Sequence, residues 1–225
     1  MNKYIAEVLG TFCLVFAGCG AIVVADVYPG TLDHVGIGLV WGLVVMAMIY
    51  SIGNISGAHI NPAVTIGFCV SGRLDRKQVL PYVGAQIVGA VLAAAALRFF
   101  YPEHATLGAT LPQADHLRVF VMEVMLSFIL MFVILNVSTG HMEKGIMAGV
   151  AVGGTVAIEA LVGGPMTGAS MNPARSLGPA LVSGNMTGLW IYLVAPVVGC
   201  VLARPTCRWI QGDACCAEDA APDAG

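Results

Sequence analysis

Two stretches of this chain, SGAHINPAVT at residues 56–65 and TGASMNPARS at residues 167–176, follow one pattern. Each has a run of small residues, then Asn-Pro-Ala, then apolar residues. The residue before a proline is disfavoured in the α conformation, whereas proline is well tolerated at the first position of a helix. We therefore predict extended backbone in each stretch, followed by a helix that begins at Pro62 or Pro173 with an asparagine near its cap.

The composition indicates that these stretches lie in a membrane. Hydrophobic residues make up 58% of the 225 residues and charged residues only 10%, against about 25% charged in soluble domains. The mean hydropathy is +0.85. A net charge of −3 without a basic patch excludes a nucleic-acid partner, and the seven cysteines follow no metal-ligand spacing. We expect membrane lipid as a partner and no cofactor or metal.

Apolar runs divide the chain into six predicted spans and two shorter segments. The long runs are about 4–25, 35–54, 79–100, 117–138, 144–164 and 188–208, and the short ones are about 62–71 and 173–183. Ten helical residues rise about 15 Å, which is about half of a hydrocarbon core about 30 Å thick. Each short helix can therefore enter the membrane without crossing it.

The two halves of the sequence also match outside these motifs. AEVLGTF at residues 6–12 resembles MEVMLSF at residues 122–128. Three spans per half is an odd number, so the second half must be inverted, and the short helices then meet N-terminus to N-terminus. We predict one repeat half over 1–116, a second over 117–210, and a disordered acidic cytoplasmic tail over 211–225.

Basic residues predict the orientation of the chain. One side of a six-span arrangement carries Lys3, Arg73, Arg76, Lys77, Lys144, Arg204 and Arg208, whereas Arg98 and Arg118 are exceptions. Because cytoplasmic loops are enriched in Lys and Arg, we expect a multi-pass protein of the cell (inner) membrane with both termini in the cytoplasm.

Polar groups at membrane depth are the candidate functional residues. Asn61 and Asn172 can each donate an amide N–H to a solute at a helix end of partial positive charge, which also disfavours cations. Capping alone is the simpler role for each asparagine, and the two roles are compatible. Glu7 and Glu123 are costly at this depth, and each is either a proton carrier or an acceptor for the N–H groups before a short helix.

The paired Asn-Pro-Ala motifs, the six spans and a glutamate in spans one and four resemble the aquaporin, or major intrinsic protein, family over nearly all of residues 3–210. The resemblance implies an all-α membrane protein with six transmembrane helices and two re-entrant half-helices in an inverted repeat. It implies a homotetramer with one pore per subunit and no enzymatic activity, and it favours a loop-bracing role for Glu7 and Glu123. The implied pore motifs are Asn61, Pro62, Ala63, Asn172, Pro173 and Ala174, and the implied pore-lining carbonyls are those of Gly57, Ala58, His59, Ile60, Gly168, Ala169, Ser170 and Met171.

The same resemblance implies a selectivity filter of Trp41, Ala160, Ala169 and Arg175. Water-selective members of the family place Phe and His at the first two of these positions. Two alanines leave a wide aperture, which suits a polyol or a small neutral hydroxy acid: hydroxyls would face Arg175 and carbon would face Trp41. Trp41 could instead be an interfacial anchor, a common role for tryptophan in membranes.

Residues 164–180 are most similar to the nodulin-like intrinsic proteins and their bacterial relatives. The chain departs from the glycerol facilitators, which usually have an aromatic residue at Ala169 and an aspartate at Ser176. Similarity to the nodulin-like group implies passive permeation by glycerol, by neutral metalloid hydroxides such as arsenous or boric acid, and by water, with ions and protons excluded.

Three alternatives remain at this stage. The first is a water-selective aquaporin. The second is a proton-coupled transporter or an intramembrane enzyme that uses Glu7, Glu123 or Glu159, of which Glu159 in span five has no assigned role. The third is a structural junction protein whose pore is incidental. A channel conducts independently of a pH difference, whereas a coupled transporter does not.

Overall fold

A computed structural model describes residues 2–138 and 147–212, and the described part of the chain is entirely helical, apart from turns and connections. The helices are α1 (Asn2–Val27), α2 (His34–Ser56), α3 (Pro62–Val70), α4 (Arg76–Phe100), α5 (His116–Val137), α6 (Ala148–Thr167), α7 (Pro173–Ser183) and α8 (Leu189–Gln211). Six of them are long and apolar enough to cross a membrane, whereas α3 and α7 have 9 and 11 residues.

The predicted spans and half-helices are confirmed to within a few residues, and the largest shift is at the start of α6. Helix α6 begins at Ala148, where residue 144 was expected, and it continues to Thr167 through Pro165. Met147 provides no side-chain cap, and Gly168 ends the helix in the left-handed conformation (φ 81°). Residues 139–146 and most of the predicted tail, 213–225, lie outside the described residues.

Aspartate or asparagine side chains cap the N-termini of five helices. Asp33, Asp75 and Asp115 cap α2, α4 and α5 by accepting a backbone N–H of the first turn. Asn61 and Asn172 do the same for α3 and α7, each followed by proline. Capping by these residues stabilises a helix by about 1 kcal/mol, which matters for short helices that cannot span the membrane.

Glycines at equivalent positions of the two halves let the helices approach closely. A Cβ atom at Gly89 would collide with the backbone of α1, and one at Gly199 would collide with the backbone of α5. Gly42 of α2 and Gly153 of α6 face each other in the same way. These contacts join α1 to α4, α5 to α8 and α2 to α6, and this inverted repeat encloses α3 and α7 with their N-termini facing each other.

Candidate functional site

A cavity of about 150 Å³ runs along the inside of the helix bundle. On the side where α1 begins and α8 ends, the cavity is lined by the end of α5 and the start of α6, including Val137 and Ala148. At the opposite side it is lined by Trp41, Ala160 and Arg175. Both Asn-Pro-Ala segments lie between these ends, so the cavity has the course of a transmembrane pore.

The two asparagines bind across the repeat at the middle of the cavity. Asn61 Nδ2 donates to the carbonyl oxygen of Met171 (2.7 Å), and Asn172 Nδ2 donates to that of Ile60 (2.8 Å). Their Oδ1 atoms accept backbone N–H groups of α3 and α7. Because an amide nitrogen carries two protons, one N–H of each asparagine is left for a solute.

The backbone before each half-helix adopts conformations that non-glycine residues rarely take. The φ angles are 47° at Ala58, 42° at Ile60, 42° at Ala169 and 52° at Met171. Each such residue costs about 1–3 kcal/mol, and such residues persist only where the surroundings hold them. The carbonyl groups of these segments are thereby kept out of the helix ladders and along the cavity.

Most residues predicted to line the pore with carbonyls do border this cavity. They are Gly57, Ala58, His59, Ile60, Ala169, Ser170 and Met171. Gly168 does not border it; it caps α6 beside Thr110. The carbonyls of Ile60 and Met171 are already bonded to the asparagines, so they offer a solute less than the sequence suggested.

Glu7 holds the first of these strained segments. Its carboxylate accepts hydrogen bonds from Ser56 Oγ (2.7 Å), the N–H groups of His59 (2.9 Å) and Ile60 (2.7 Å), and Gln86 Nε2 (2.7 Å). The side chain is completely buried and does not line the cavity. Glu7 therefore fixes the loop segment before α3 through these hydrogen bonds.

Glu123 holds the second segment in the equivalent way. It accepts from Thr167 Oγ1 (2.7 Å) and from the N–H groups of Ser170 (2.8 Å) and Met171 (2.9 Å). It too is completely buried and away from the cavity. Hydrogen bonds to a charged group contribute about 1.5–3 kcal/mol each, which is enough to offset the strain of the positive φ angles.

The cavity is bounded on the side opposite the termini by Arg175 and Trp41. The guanidinium Cζ lies 4.7 Å from the centroid of the Trp41 ring, within the range of cation–π contact. Arg175 is 1% exposed and Trp41 is 8% exposed. An interfacial anchor would face lipid, so that alternative for Trp41 is wrong. Ala160 and Ala169 also line the cavity.

Arg175 is only partly satisfied by the protein. Its Nη1 donates to the carbonyl oxygen of Gly108 (2.9 Å). Within the described part of the chain, Nε and Nη2 are buried and no acceptor lies within hydrogen-bond distance of either. Burying an unpaired polar group is costly, so the N–H groups of Nε and Nη2 are available at this end of the cavity for a ligand oxygen.

Sequence reasoning missed the contribution of the loop between α4 and α5. Gly108 reaches Arg175 with a backbone carbonyl, and Thr110 Oγ1 donates to Ser176 Oγ (2.7 Å) beside it. A backbone carbonyl requires no particular residue type, so the sequence carries little signal for it. The one trace is Gly108 itself, at φ 71°, where a Cβ would lie 2.9 Å from Cys19 atoms.

The side chain of His59 was also missed, since only its carbonyl was predicted to act. His59 lines the cavity, and its Nδ1 lies 3.2 Å from Thr65 Oγ1. The single hydroxyl proton of Thr65 goes to the carbonyl of Asn61 (2.9 Å), and Gln86 Nε2 donates to the same hydroxyl (2.9 Å). His59 Nδ1 must therefore be the donor, and a neutral ring keeps Nε2 as an acceptor.

Glu159 remains apart from these groups. It is 3% exposed, it does not border the cavity, and within residues 2–138 and 147–212 neither carboxyl oxygen has a hydrogen-bond partner.

Comparison with known proteins agrees with this geometry. Residues 1–205 match the family described as Major intrinsic protein. The chain belongs to the major intrinsic protein family. Aquaporin NIP1-1 of Zea mays is 48% identical over 202 residues, which cover 89% of this chain and 72% of that protein. Nodulin-26 of Glycine max is 48% identical over 202 residues, covering 89% and 74%.

A solved structure supports the same assignment. The X-ray structure of the aquaglyceroporin from Plasmodium falciparum superposes with a TM-score of 0.80 at 28% identity, covering 91% of this chain and 93% of that one. The predicted fold and the resemblance to nodulin-like proteins are thereby confirmed. This major intrinsic protein is a multi-pass membrane protein of the aquaporin channel family.

Proposed function

We propose that this aquaporin-family protein is a passive channel for small uncharged solutes. It conducts glycerol, neutral metalloid hydroxides such as arsenous or boric acid, and water, and it excludes ions and protons. The observation that carries the proposal is the aperture at Arg175. The guanidinium lies over the Trp41 ring, and the small side chains of Ala160 and Ala169 line the same cavity.

The chemistry of this aperture suits a solute that carries hydroxyls on a small frame. Arg175 Nε and Nη2 donate to hydroxyl oxygens. The Trp41 ring offers an apolar face to carbon, and the alanine methyl groups leave width for a branched molecule. Further along, the free N–H groups of Asn61 and Asn172 and the carbonyls before them replace water around the moving solute. The names of the relatives, an aquaglyceroporin among them, support this solute class.

Fixed positive charge supports the exclusion of cations. Arg175 is permanently charged, and each half-helix presents an N-terminus equivalent to about half an elementary charge. Arg175 and the capping residues of the two half-helices, Asn61 and Asn172, line the same cavity. A cation would lose its water there without gaining a carboxylate, because Glu7 and Glu123 are turned away from the cavity into the loop segments.

The alternatives have less support. A water-selective filter would carry a histidine where Ala160 stands. Proton coupling needs a carboxyl on the solute path, but neither Glu7, Glu123 nor Glu159 borders the cavity. No residue along it suggests catalysis, so the proposal includes no enzymatic activity.

Orientation and assembly are part of the proposal. We place the side of Lys3, whose Nζ donates to Gln78 Oε1 (2.8 Å) at the start of α4, in the cytoplasm of the cell membrane. Arg98 and Arg118, the two basic residues on the opposite side, have local partners. Arg98 donates to the carbonyl oxygen of Pro102 (2.7 Å), and Arg118 Nε lies 3.0 Å from Asp115. The chain forms a homotetramer with one pore per subunit, and its halves, 1–116 and 117–210, act as the inverted units.

Light scattering by protein-containing liposomes tests the function. Vesicles are challenged in separate runs with glycerol and with boric acid, with and without a pH difference, and empty vesicles are the control. We expect rapid re-swelling with both solutes, unaffected by the pH difference. Water flux with neither solute entering would replace the proposal with the water-selective channel, and flux that requires the pH difference would replace it with the transporter.

A further inference from the structure

The loop between α4 and α5 makes a tight turn directly behind Arg175. Ala109 N–H donates to the carbonyl oxygen of Thr106 (3.0 Å), and the two central residues, Leu107 and Gly108, have φ angles of 52° and 71°. Two central residues at positive φ are the pattern of a type I′ turn, which favours Asn-Gly. Leucine is unfavourable there, so something outside the turn must hold it.

The ring of His104 is that support. Its Nδ1 lies 2.9 Å from the N–H of Leu107, and a backbone N–H can only donate. Nδ1 is therefore unprotonated, and Nε2 carries the proton toward Asp26 Oδ2 at 3.3 Å. Only 9% of the His104 side chain is exposed, and its own carbonyl accepts from Arg98 Nη1 (2.9 Å).

The next residue along the turn touches the candidate filter. The Gly108 carbonyl is the protein acceptor of Arg175 Nη1, so the position of the turn sets the position of the guanidinium. We propose that His104 is a positioning residue of the channel: it holds the Leu107–Gly108 turn, and through it the Arg175 guanidinium, in place across the aperture. This inference rests on the proposed role of Arg175 in selectivity.

A second proton on the ring would break this arrangement. Nδ1 would then be a donor facing the Leu107 N–H, so a hydrogen bond would become a repulsion. The charged groups around the ring are Asp26 on α1, the Arg98 guanidinium on α4, which donates to the His104 carbonyl, and the exposed Glu103. Acidification on the side of this loop should therefore loosen the turn and weaken cation exclusion.

Two substitutions test the roles of the two ring nitrogens of His104 separately. In His104→Asn the amide oxygen stands near the place of Nδ1 and can accept from Leu107 N–H. In His104→Gln the amide reaches the place of Nε2 and Asp26, and the acceptor for Leu107 is lost. Asp26→Asn is a matched control, because its oxygen still accepts from Nε2 and the Leu107 bond is untouched.

The measured quantity is the ratio of radiolabelled sodium uptake to glycerol uptake by liposomes containing the full chain, at about pH 7.5 and about pH 5.5 on both sides. For His104→Gln we expect a ratio roughly tenfold above that of the unaltered protein at the higher pH, about the factor for one lost hydrogen bond. His104→Asn and Asp26→Asn should keep the original ratio there. The unaltered protein should leak more sodium at the lower pH, whereas His104→Asn should not respond to pH.

Equal ratios for His104→Asn and His104→Gln would overturn the inference, as would an unaltered protein whose ratio does not change with pH. If His104→Gln does not fold, the pH responses of the unaltered protein and of His104→Asn still decide. Arg175→Ala shows whether the proposed function or only the positioning role of His104 is wrong. An unchanged ratio in that variant contradicts the proposed function, whereas a raised ratio alongside indifferent His104 variants contradicts only the positioning role.

Discussion

The guanidinium of Arg175 lies over the ring of Trp41, with Cζ 4.7 Å from the ring centroid. The ring fixes one face of the cation, and the Gly108 carbonyl fixes one of its nitrogens. The remaining donors are thus presented to the cavity in a defined plane. A flexible lysine ammonium would lack this geometry because it is a point charge without a planar fork.

Replacing Arg175 should separate charge from geometry. We expect Arg175→Ala to raise sodium leak through the channel by at least about tenfold while glycerol still passes, because the fixed charge is removed and the aperture widens. Arg175→Lys should keep most of the cation exclusion. Sodium uptake and glycerol uptake are measured in the same liposomes. Ion exclusion that stays intact in the alanine variant would contradict the role of this charge.

Filling the space at Ala160 should narrow the aperture in steps. Ala160→Val adds two methyl groups, and Ala160→His adds a ring with a polar edge opposite Trp41 and Arg175. We expect glycerol permeability to fall in that order and water permeability to persist, so the ratio of water to glycerol flux should rise by about tenfold or more for histidine. Full glycerol flux through Ala160→His would show that Ala160 does not border the narrowest point.

Removing the charge of Glu123 should destabilise the protein without changing which solutes pass. In Glu123→Gln one carboxylate oxygen becomes an NH₂ group, which would face the N–H of either Ser170 or Met171, at a cost of about 2–3 kcal/mol. The midpoint of thermal unfolding in detergent should fall, whereas Glu103→Gln at an exposed position should leave it unchanged. A loss of glycerol flux in a well-folded Glu123→Gln protein would point instead to a direct role in transport.

The two ring nitrogens of His59 predict different outcomes for its two amide replacements. His59→Gln keeps an acceptor near the place of Nε2, and His59→Asn keeps a donor near the place of Nδ1 for Thr65. If Nε2 contacts the solute, glycerol uptake should be retained by the glutamine variant and reduced severalfold in the asparagine variant. Solid-state ¹⁵N spectra of labelled histidine check the tautomer directly, and a protonated Nε2 would refute the assignment.

The sequence predicted those parts of the fold and site that depend on residue type. Asparagine before proline marks a cap, a ten-residue apolar run is too short to span the membrane, and Glu7 and Glu123 accept the N–H groups before the half-helices. Glu159 has no such donors among the described residues, and the sequence assigned it no role. The start of α6 was placed four residues early because Met147 gives no capping signal. The roles of Gly108 and His104 could not be predicted, since one acts through its backbone carbonyl and the other through the shape of a turn.

The bonds from Asn61 to Met171 and from Asn172 to Ile60 have a consequence for biogenesis. Each connects segments 110 or more positions apart in the chain. During synthesis the first half reaches the membrane with its asparagine donor and its Ile60 carbonyl both unmatched. Glu7 and the Asn61 cap already hold this segment from within the first half, but these two groups find their partners only when the second half is in place. A chain interrupted between the halves would yield two membrane fragments, each lacking the hydrogen-bond partners of its own Asn-Pro-Ala segment.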